Sequence, residues 1–400
     1  VTMPQSDPTS DRKIRLTFLV HSLEVGGAEV QLTVLACGLD RTEFAPTVIS
    51  FHDEGALLGE LREADIPVVT LGLRGRHDAF GFFLRLVRAL RASKPDVVYS
   101  YLDFPNAVAA IVKPWLRRSR LVWGIRTSDM KLEDRALSWR IFFALERLLA
   151  RAADLIICNS WAGKRHLQQS QFHADAITVV GNGIDTERYQ PNPATRKRYR
   201  AEFGFSDDDI VIGLVARLDP VKDHATFLKA AADLARDVPA ARFICIGGGT
   251  IEYAHELHGI GNALGLDDRL IWTGARDDVS DLLNALDIAT LCSAYGEGFP
   301  NAVGEGMAMA LPFVTTDVGD AAIVVGDQGT VVPVFAPTAL AAAWRRFAKM
   351  SPQGRAAAGA DARTRIVTCF PRKSMIDKTS ALLRRVQSKS ANQAVLQEMP

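Results

Sequence analysis

Two glutamates in the segment YGEGFPNAVGEGMAMALP, Glu297 and Glu305, have seven residues between them. Glu297 is expected in a loop with Gly296 and Gly298, and Glu305 in the first turns of a helix opened by Pro300 and Asn301. At that spacing both can project toward one bound molecule. A carboxylate accepts two hydroxyl hydrogen bonds, so one glutamate can hold the diol of a ribose and the other the hydroxyls of a sugar. The free amides in the turn Gly298, Phe299, Pro300, Asn301 then point at phosphates between them. Taken singly, Glu305 also fits dipole stabilisation of its helix, and Glu297 an exposed loop charge.

Arg217 and Lys222, five residues apart in GLVARLDPVKDH, follow an apolar run. Two cations there can clamp a diphosphate, Arg as a fork and Lys as a point charge; solvated surface cations are the plainer alternative. Gly26 and Gly27, in HSLEVGGAEVQL, stand between an apolar run and a helix pattern. Their amides, with no Cβ in the way, can approach a phosphate at a helix N-terminus, or simply make a tight turn.

The elements that must position these residues alternate along the chain. Strand-like runs at 14–20, 46–51, 68–71, 96–100, 120–125, 155–159 and 177–180 are separated mostly by helical patterns. After a turn-rich, charged stretch at 181–209, read as a linker, strands are expected at 210–216, 242–246, 270–273, 288–292, 313–316 and 330–332. Apolar strands alternating with amphipathic helices imply parallel sheets covered on both faces. The expected fold is α/β with two doubly wound Rossmann-like domains facing each other: residues 1–188 on the acceptor side, 189–370 on the donor side, and a helix in 371–400 packing back on the first, with 389–400 fraying. Ligands of such sheets sit beyond the carboxyl ends of the strands, where all three loops lie.

Length and composition agree. Four hundred residues, 48% hydrophobic and 23% charged with a net charge of +1, describe a globular chain with room for more than one core and exclude a general polyanion binder, hence no nucleic-acid partner. Five dispersed cysteines with no CxxC pair exclude a zinc ribbon or a disulfide framework. His255 and His258 do not complete HExxH. No signal-peptide pattern and no apolar stretch of membrane-spanning length stands out, so a cytoplasmic protein is expected.

Taken in order, GGAE, the NGID motif at 182–185, Arg217, Lys222 and Glu297-x7-Glu305 resemble the GT4 retaining glycosyltransferases of the GT-B fold, over about residues 14–385. The resemblance implies that Glu297 contacts the donor hexose, that Glu305 holds the ribose of a nucleotide diphosphate sugar, most often UDP-linked, and that Arg217 and Lys222 neutralise the leaving diphosphate in place of a metal ion. No cofactor is then needed, and Gly26, Gly27 and the Gly298–Asn301 turn complete the phosphate site. Three departures stand out: where many members carry a histidine after the fifth strand this chain offers Arg126, expected with Tyr101 on the acceptor side; the MACGxP pattern reads Met309-Ala310-Leu311-Pro312; and a Gly-Gly pair is Gly319-Asp320, where contacts to the donor sugar can differ. A nucleotide-sugar epimerase of the same fold and a non-catalytic sensor are the alternatives.

Charge is unevenly spread. Residues 74–165 hold 18 Lys+Arg and 8 Asp+Glu, a net of +10, against −9 for the rest. Within them AFGFFLRLVRALRASK places Phe80, Phe82, Phe83 and Leu84 among Arg85, Arg88, Arg91 and Lys94, with Lys113, Arg117, Arg118, Arg120 and RALSWRIFFALERLLARAAD beyond. Such helices can rest on an anionic membrane. Residues 79–165 are therefore expected to attach the protein to the inner face of the cell membrane, near a glycan or lipid-linked acceptor; a packed helix with solvated arginines is the other reading.

Overall fold

The structure, a computed structural model, describes residues 12–116, 118–128, 137–172 and 177–388. The first sheet contains β1 (Ile14–Val20), β2 (Phe44–Ser50), β3 (Val68–Thr70), β4 (Val97–Tyr101), β5 (Arg120–Ile125), β6 (Leu155–Cys158) and β7 (Ile177–Val179), in the order β3-β2-β1-β4-β5-β6-β7. The second contains β8 (Ile210–Val215), β9 (Ala241–Ile246), β10 (Leu270–Trp272), β11 (Ile288–Leu291), β12 (Phe313–Thr316) and β13 (Thr330–Val332), in the order β10-β9-β8-β11-β12-β13. Every pairing in both is parallel. Strand order reverses between β1 and β4 in one sheet and between β8 and β11 in the other, and at such points the loops diverge and leave a crevice for ligand.

Side-chain alternation explains the double covering. Leu16, Phe18 and Val20 of β1 enter one core with Leu32 and Leu35 of the helix Gly27–Gly38, whereas Leu19 enters the opposite core with Phe82, Leu86 and Leu90 of the helix Ala79–Ser93. The helix Arg372–Gln387 returns to the first sheet's side, where Met375, Leu383 and Val386 join the core of Leu32 and Leu35. The two chain crossings are side by side, Ile184 N donating to Phe370 O (2.9 Å) and Arg372 N to Ile184 O (3.3 Å).

Two expectations need correction. The stretch 181–209 is not structureless: Asn192 caps a helix, Pro193–Glu202, through the amides of Ala194 and Thr195. Its Arg200 is buried against Asp287 at 3.0 Å, so its charges hold the helix to the second sheet rather than solvate a linker. In the basic segment, Phe82 is core, and Arg85 is held by Asp78 (2.5 Å) and the Leu71 carbonyl (2.7 Å). Lys113 and Arg120 share Asp154. Phe80, Arg88, Arg91 and Lys94 are exposed. Arg117, residues 129–136 and 389–400 lie outside the described residues.

Candidate active site

The loops beyond β8 and β11 bring the sequence-separated charges together. Lys222 Nζ donates to Glu297 Oε1 at 2.5 Å, and Ser293 Oγ donates to the same oxygen at 2.6 Å. Glu297 is thus held firmly rather than free as a loop charge, with its second oxygen outside both bonds. Its loop is pinned from the opposite half: Thr127 bridges to Glu297, and Ser128 Oγ donates to the Glu297 carbonyl. Gly319, at φ +62°, passes so close beneath that a Cβ would collide with the carbonyls of Glu297 and Gly298. A Cβ on Gly298 would strike Asn159 and the Arg126 carbonyl.

Arg217 lies beyond the end of β8 with its side chain 73% exposed, its partner Asp219 at 3.8 Å. Its charge reaches across to Glu29, the acidic residue in the first turn of the helix Gly27–Gly38. Arg217 therefore stands at the mouth of the cleft and Lys222 deeper in it.

Two helix N-termini meet there. The helix Asn301–Ala308, preceded by Pro300, and the helix Gly27–Gly38, preceded by Gly26, both lack a side-chain cap. Asn301 Nδ2 donates to the Gly27 carbonyl at 3.2 Å, which joins them. First-turn amides with no N-cap side chain on them, at the positive ends of two helices, favour an anion, with Glu29 holding its own backbone in the first turn of the helix Gly27–Gly38. Phe299 contributes only backbone, because its ring is buried against Phe370 at 5.3 Å.

Glu305 is on the same short helix, set toward Arg188 and Tyr189. Burial pushes its carboxyl up to about 7, with Arg188 and the Tyr189 hydroxyl pulling in the opposite sense. A carboxylate so desolvated gains from hydroxyl donors that stabilise its charge.

Arg126 forms the floor. It bonds Tyr99 Oη (3.0 Å) and Asn182 Oδ1 (3.4 Å), and stacks on the Tyr101 ring at 4.2 Å, while its Nε has no hydrogen-bond partner. Tyr101 is fully buried beneath it, so Tyr101 supports Arg126 rather than touching an acceptor. Asn182 carries the floor onward by donating to Asn301 Oδ1 at 2.8 Å. Sequence reading named Asn182 only as part of NGID, and missed Ser293, Ser128 and Asn159, which no motif marks. Asp320, which stands where the family pattern has the second glycine of a pair, turns its carboxylate to the first half, accepting from the amides of Trp161 and Ala162.

Comparison with known proteins adds family to geometry. The family described as "Glycosyltransferase Family 4" matches residues 25–188, and that described as "Glycosyl transferases group 1" matches residues 209–349. A D-inositol 3-phosphate glycosyltransferase of Saccharomonospora viridis is 28% identical over 367 residues, 84% of this chain and 80% of that one. The UDP-Gal:alpha-D-GlcNAc-diphosphoundecaprenol alpha-1,3-galactosyltransferase of Escherichia coli is 28% identical over 240 residues, 59% of this chain and 61% of the other. The crystal structure of Anabaena Alr3699/HepE in complex with UDP-glucose superposes with a TM-score of 0.82 at 24% identity, covering 92% of this chain and 99% of that chain, a likeness of fold. With the two family profiles falling in order on the two sheets and the fold shared, the chain belongs to the group 1, family 4 glycosyltransferases of the GT-B fold.

Proposed function

We propose that this glycosyltransferase moves a hexose from a UDP-sugar to a glycan or lipid-linked acceptor, with retention at the anomeric carbon and without a metal ion. The observation that carries the reading is the meeting of two uncapped helix N-termini, joined by Asn301 and Gly27, at a cleft that also holds Arg217 and Lys222. Amides and cations fixed in advance stabilise a leaving diphosphate more than the intact donor, because negative charge grows as the glycosidic bond breaks. Glu305 takes the ribose and the outer oxygen of Glu297 a sugar hydroxyl. UDP is favoured because structural and sequence neighbours carry UDP-glucose and UDP-Gal in their names. Glu297 is engaged by Lys222 and Ser293, which suits hydroxyl recognition and not nucleophilic attack. That supports a front-face displacement.

The test is acceptor-dependent release of UDP in excess EDTA, with the anomeric configuration of the product read by NMR. An inverted product, or activity lost to EDTA and restored by magnesium or manganese, overturns the reading.

Peripheral attachment to the inner face of the membrane belongs to the same proposal. Among the described residues no helix is long and apolar enough to cross a membrane. The helix Leu137–Leu149, however, exposes Ile141 (61%), Leu145 (45%) and Leu148 (57%) along one stripe, with Arg147 and Arg151 exposed beside it. Apolar residues at i, i+4 and i+7 flanked by cations suit the headgroup boundary of an anionic bilayer.

A further inference from the structure

A cavity of about 510 Å³ opens beside the phosphate corner on the wall of the first sheet, where His21, Glu29, Leu102, Asp103, Phe104 and Phe142 line it. It lies beyond the carboxyl ends of β1 and β4, the point at which strand order reverses. The backbone is strained to form it. Leu102 adopts φ +71°, a conformation that costs a leucine energy and persists only where the surroundings impose it. That turn sets Asp103 at the start of the helix Asp103–Val112.

Behind Asp103 stands Glu146, 3% exposed, with Oε1 lacking any hydrogen-bond partner. Glu146 and Phe142 are four residues apart on the helix Leu137–Leu149, so one helix face supplies both an aromatic wall and a buried acid. Burial raises the Asp103 carboxyl, and burial together with the charge of Asp103 pushes Glu146 up to about 9. The pair thus keeps a proton at neutral pH, and of its two members Asp103 lines the cavity. Burial raises Glu29 as well. Among the described lining residues none is Lys or Arg. The cation that acts on Glu29, Arg217, belongs to the second half, just beyond β8.

We infer that this cavity seats the terminal sugar of the acceptor and selects an uncharged or amino-bearing unit over one carrying phosphate or carboxylate. The inference rests on the transferase reading above. The aromatic rings cover the C–H faces of a pyranose, while carboxyl groups accept from hydroxyls or from an ammonium. A carboxylate or phosphate brought beside Asp103 and Glu29 meets like charge, with no Lys or Arg among the described lining residues to compensate it.

The experiment titrates the UDP-loaded protein with methyl glucoside, methyl glucosaminide and methyl glucuronide, followed by NMR. The glucoside and glucosaminide are expected to bind at least about tenfold more tightly than the glucuronide, and Asp103→Asn is expected to narrow that gap severalfold. Glucuronide binding as tight as the glucoside, no binding by any of the three, or a gap unmoved by Asp103→Asn overturns the assignment. Failure of the transferase reading shows differently: the preference stands, yet neither these glycosides nor longer glycans accelerate UDP release.

Discussion

The carboxylate of Asp320, just beyond β12 in the second half, caps a helix of the first. Its oxygens accept from the amides of Trp161 (2.7 Å) and Ala162 (2.9 Å), the first residues of the helix Trp161–Gln169. Ser160 Oγ takes the next amide, that of Gly163, so this N-terminus is filled by protein groups and unavailable to a ligand. The cap ties together the walls of the cleft.

Removal of that cap should therefore loosen the apposition of the two halves. Asp320→Ala is expected to cost about 1 to 2 kcal/mol of stability, the range for a lost helix cap, and Asp320→Asn, which keeps one acceptor oxygen, appreciably less. Urea denaturation of the three proteins measures it. Equal stability of Asp320→Ala and the wild type would show that the bonds do not act as a cap.

On the proposed reading, Glu305 links pH to nucleotide binding. Its carboxyl, pushed up to about 7 by burial, must be ionised to accept both hydroxyls of a ribose, so below that pH binding also has to release a proton. UDP affinity should rise with pH and level off above about 7, with roughly a tenfold loss near pH 6 attributable to this group. Glu305→Gln should bind UDP about 1.5 to 3 kcal/mol more weakly at pH 8 and lose that part of the pH dependence. The diphosphate's own titration is common to both proteins, so the difference between their calorimetric profiles isolates Glu305. Parallel profiles would remove it from the ribose site.

Glu146 makes a separate prediction about stability. Its folded carboxyl is raised to about 9, above its ordinary 4.5, by burial and by Asp103. The native state therefore binds a proton that the unfolded chain has released, and stability falls as pH climbs from about 4.5 toward 9. Glu146→Gln removes this dependence and should stabilise the protein, by on the order of 3 kcal/mol at pH 8 and by little near pH 5. Denaturation curves at the two pH values decide it; an equal effect at both contradicts a protonated Glu146.

For membrane attachment, the variants to make follow from which cations are free. Arg85 is committed to Asp78, whereas Arg88, Arg91, Arg147 and Arg151 are exposed. Each basic residue near an anionic surface adds about 1 kcal/mol, screened by salt, so reversing Arg147 and Arg151 should lower partitioning by more than about tenfold. Leu148→Asp tests the apolar stripe. Sedimentation with anionic but not neutral vesicles is expected, and equal sedimentation with both, or none with either, returns these helices to ordinary surface.

Both sheets were legible in the chain because their strands are mostly apolar, as strands covered on two faces tend to be; residues 14–20 and 120–125 begin and end as β1 and β5 do. Residues 313–316 and 330–332 likewise match β12 and β13, and the ends of the other strands shift by a residue or two. The helix Pro193–Glu202 was hidden because its sequence is mostly polar, and contact of Arg196 and Arg200 with Asp287 adds to the Asn192 cap in holding it. The departure at Ala310 became a physical statement only in three dimensions: φ is +56° there, so an alanine holds a turn that suits glycine.

By itself the sequence determined the charged and glycine-bearing loops, their order and the strands they follow, because those depend on residues close together in the chain. Tertiary structure decided what lies opposite what. Lys222 meets Glu297 across 75 positions, Asn301 meets Gly27 across 274, and Asp320 leaves the donor side to cap a helix 159 positions earlier. No local pattern encodes such pairs: Lys222 and Glu297 meet only once β8 and β11 pair in the second sheet, and the other two only once the two sheets are docked and the groups between them lose their water.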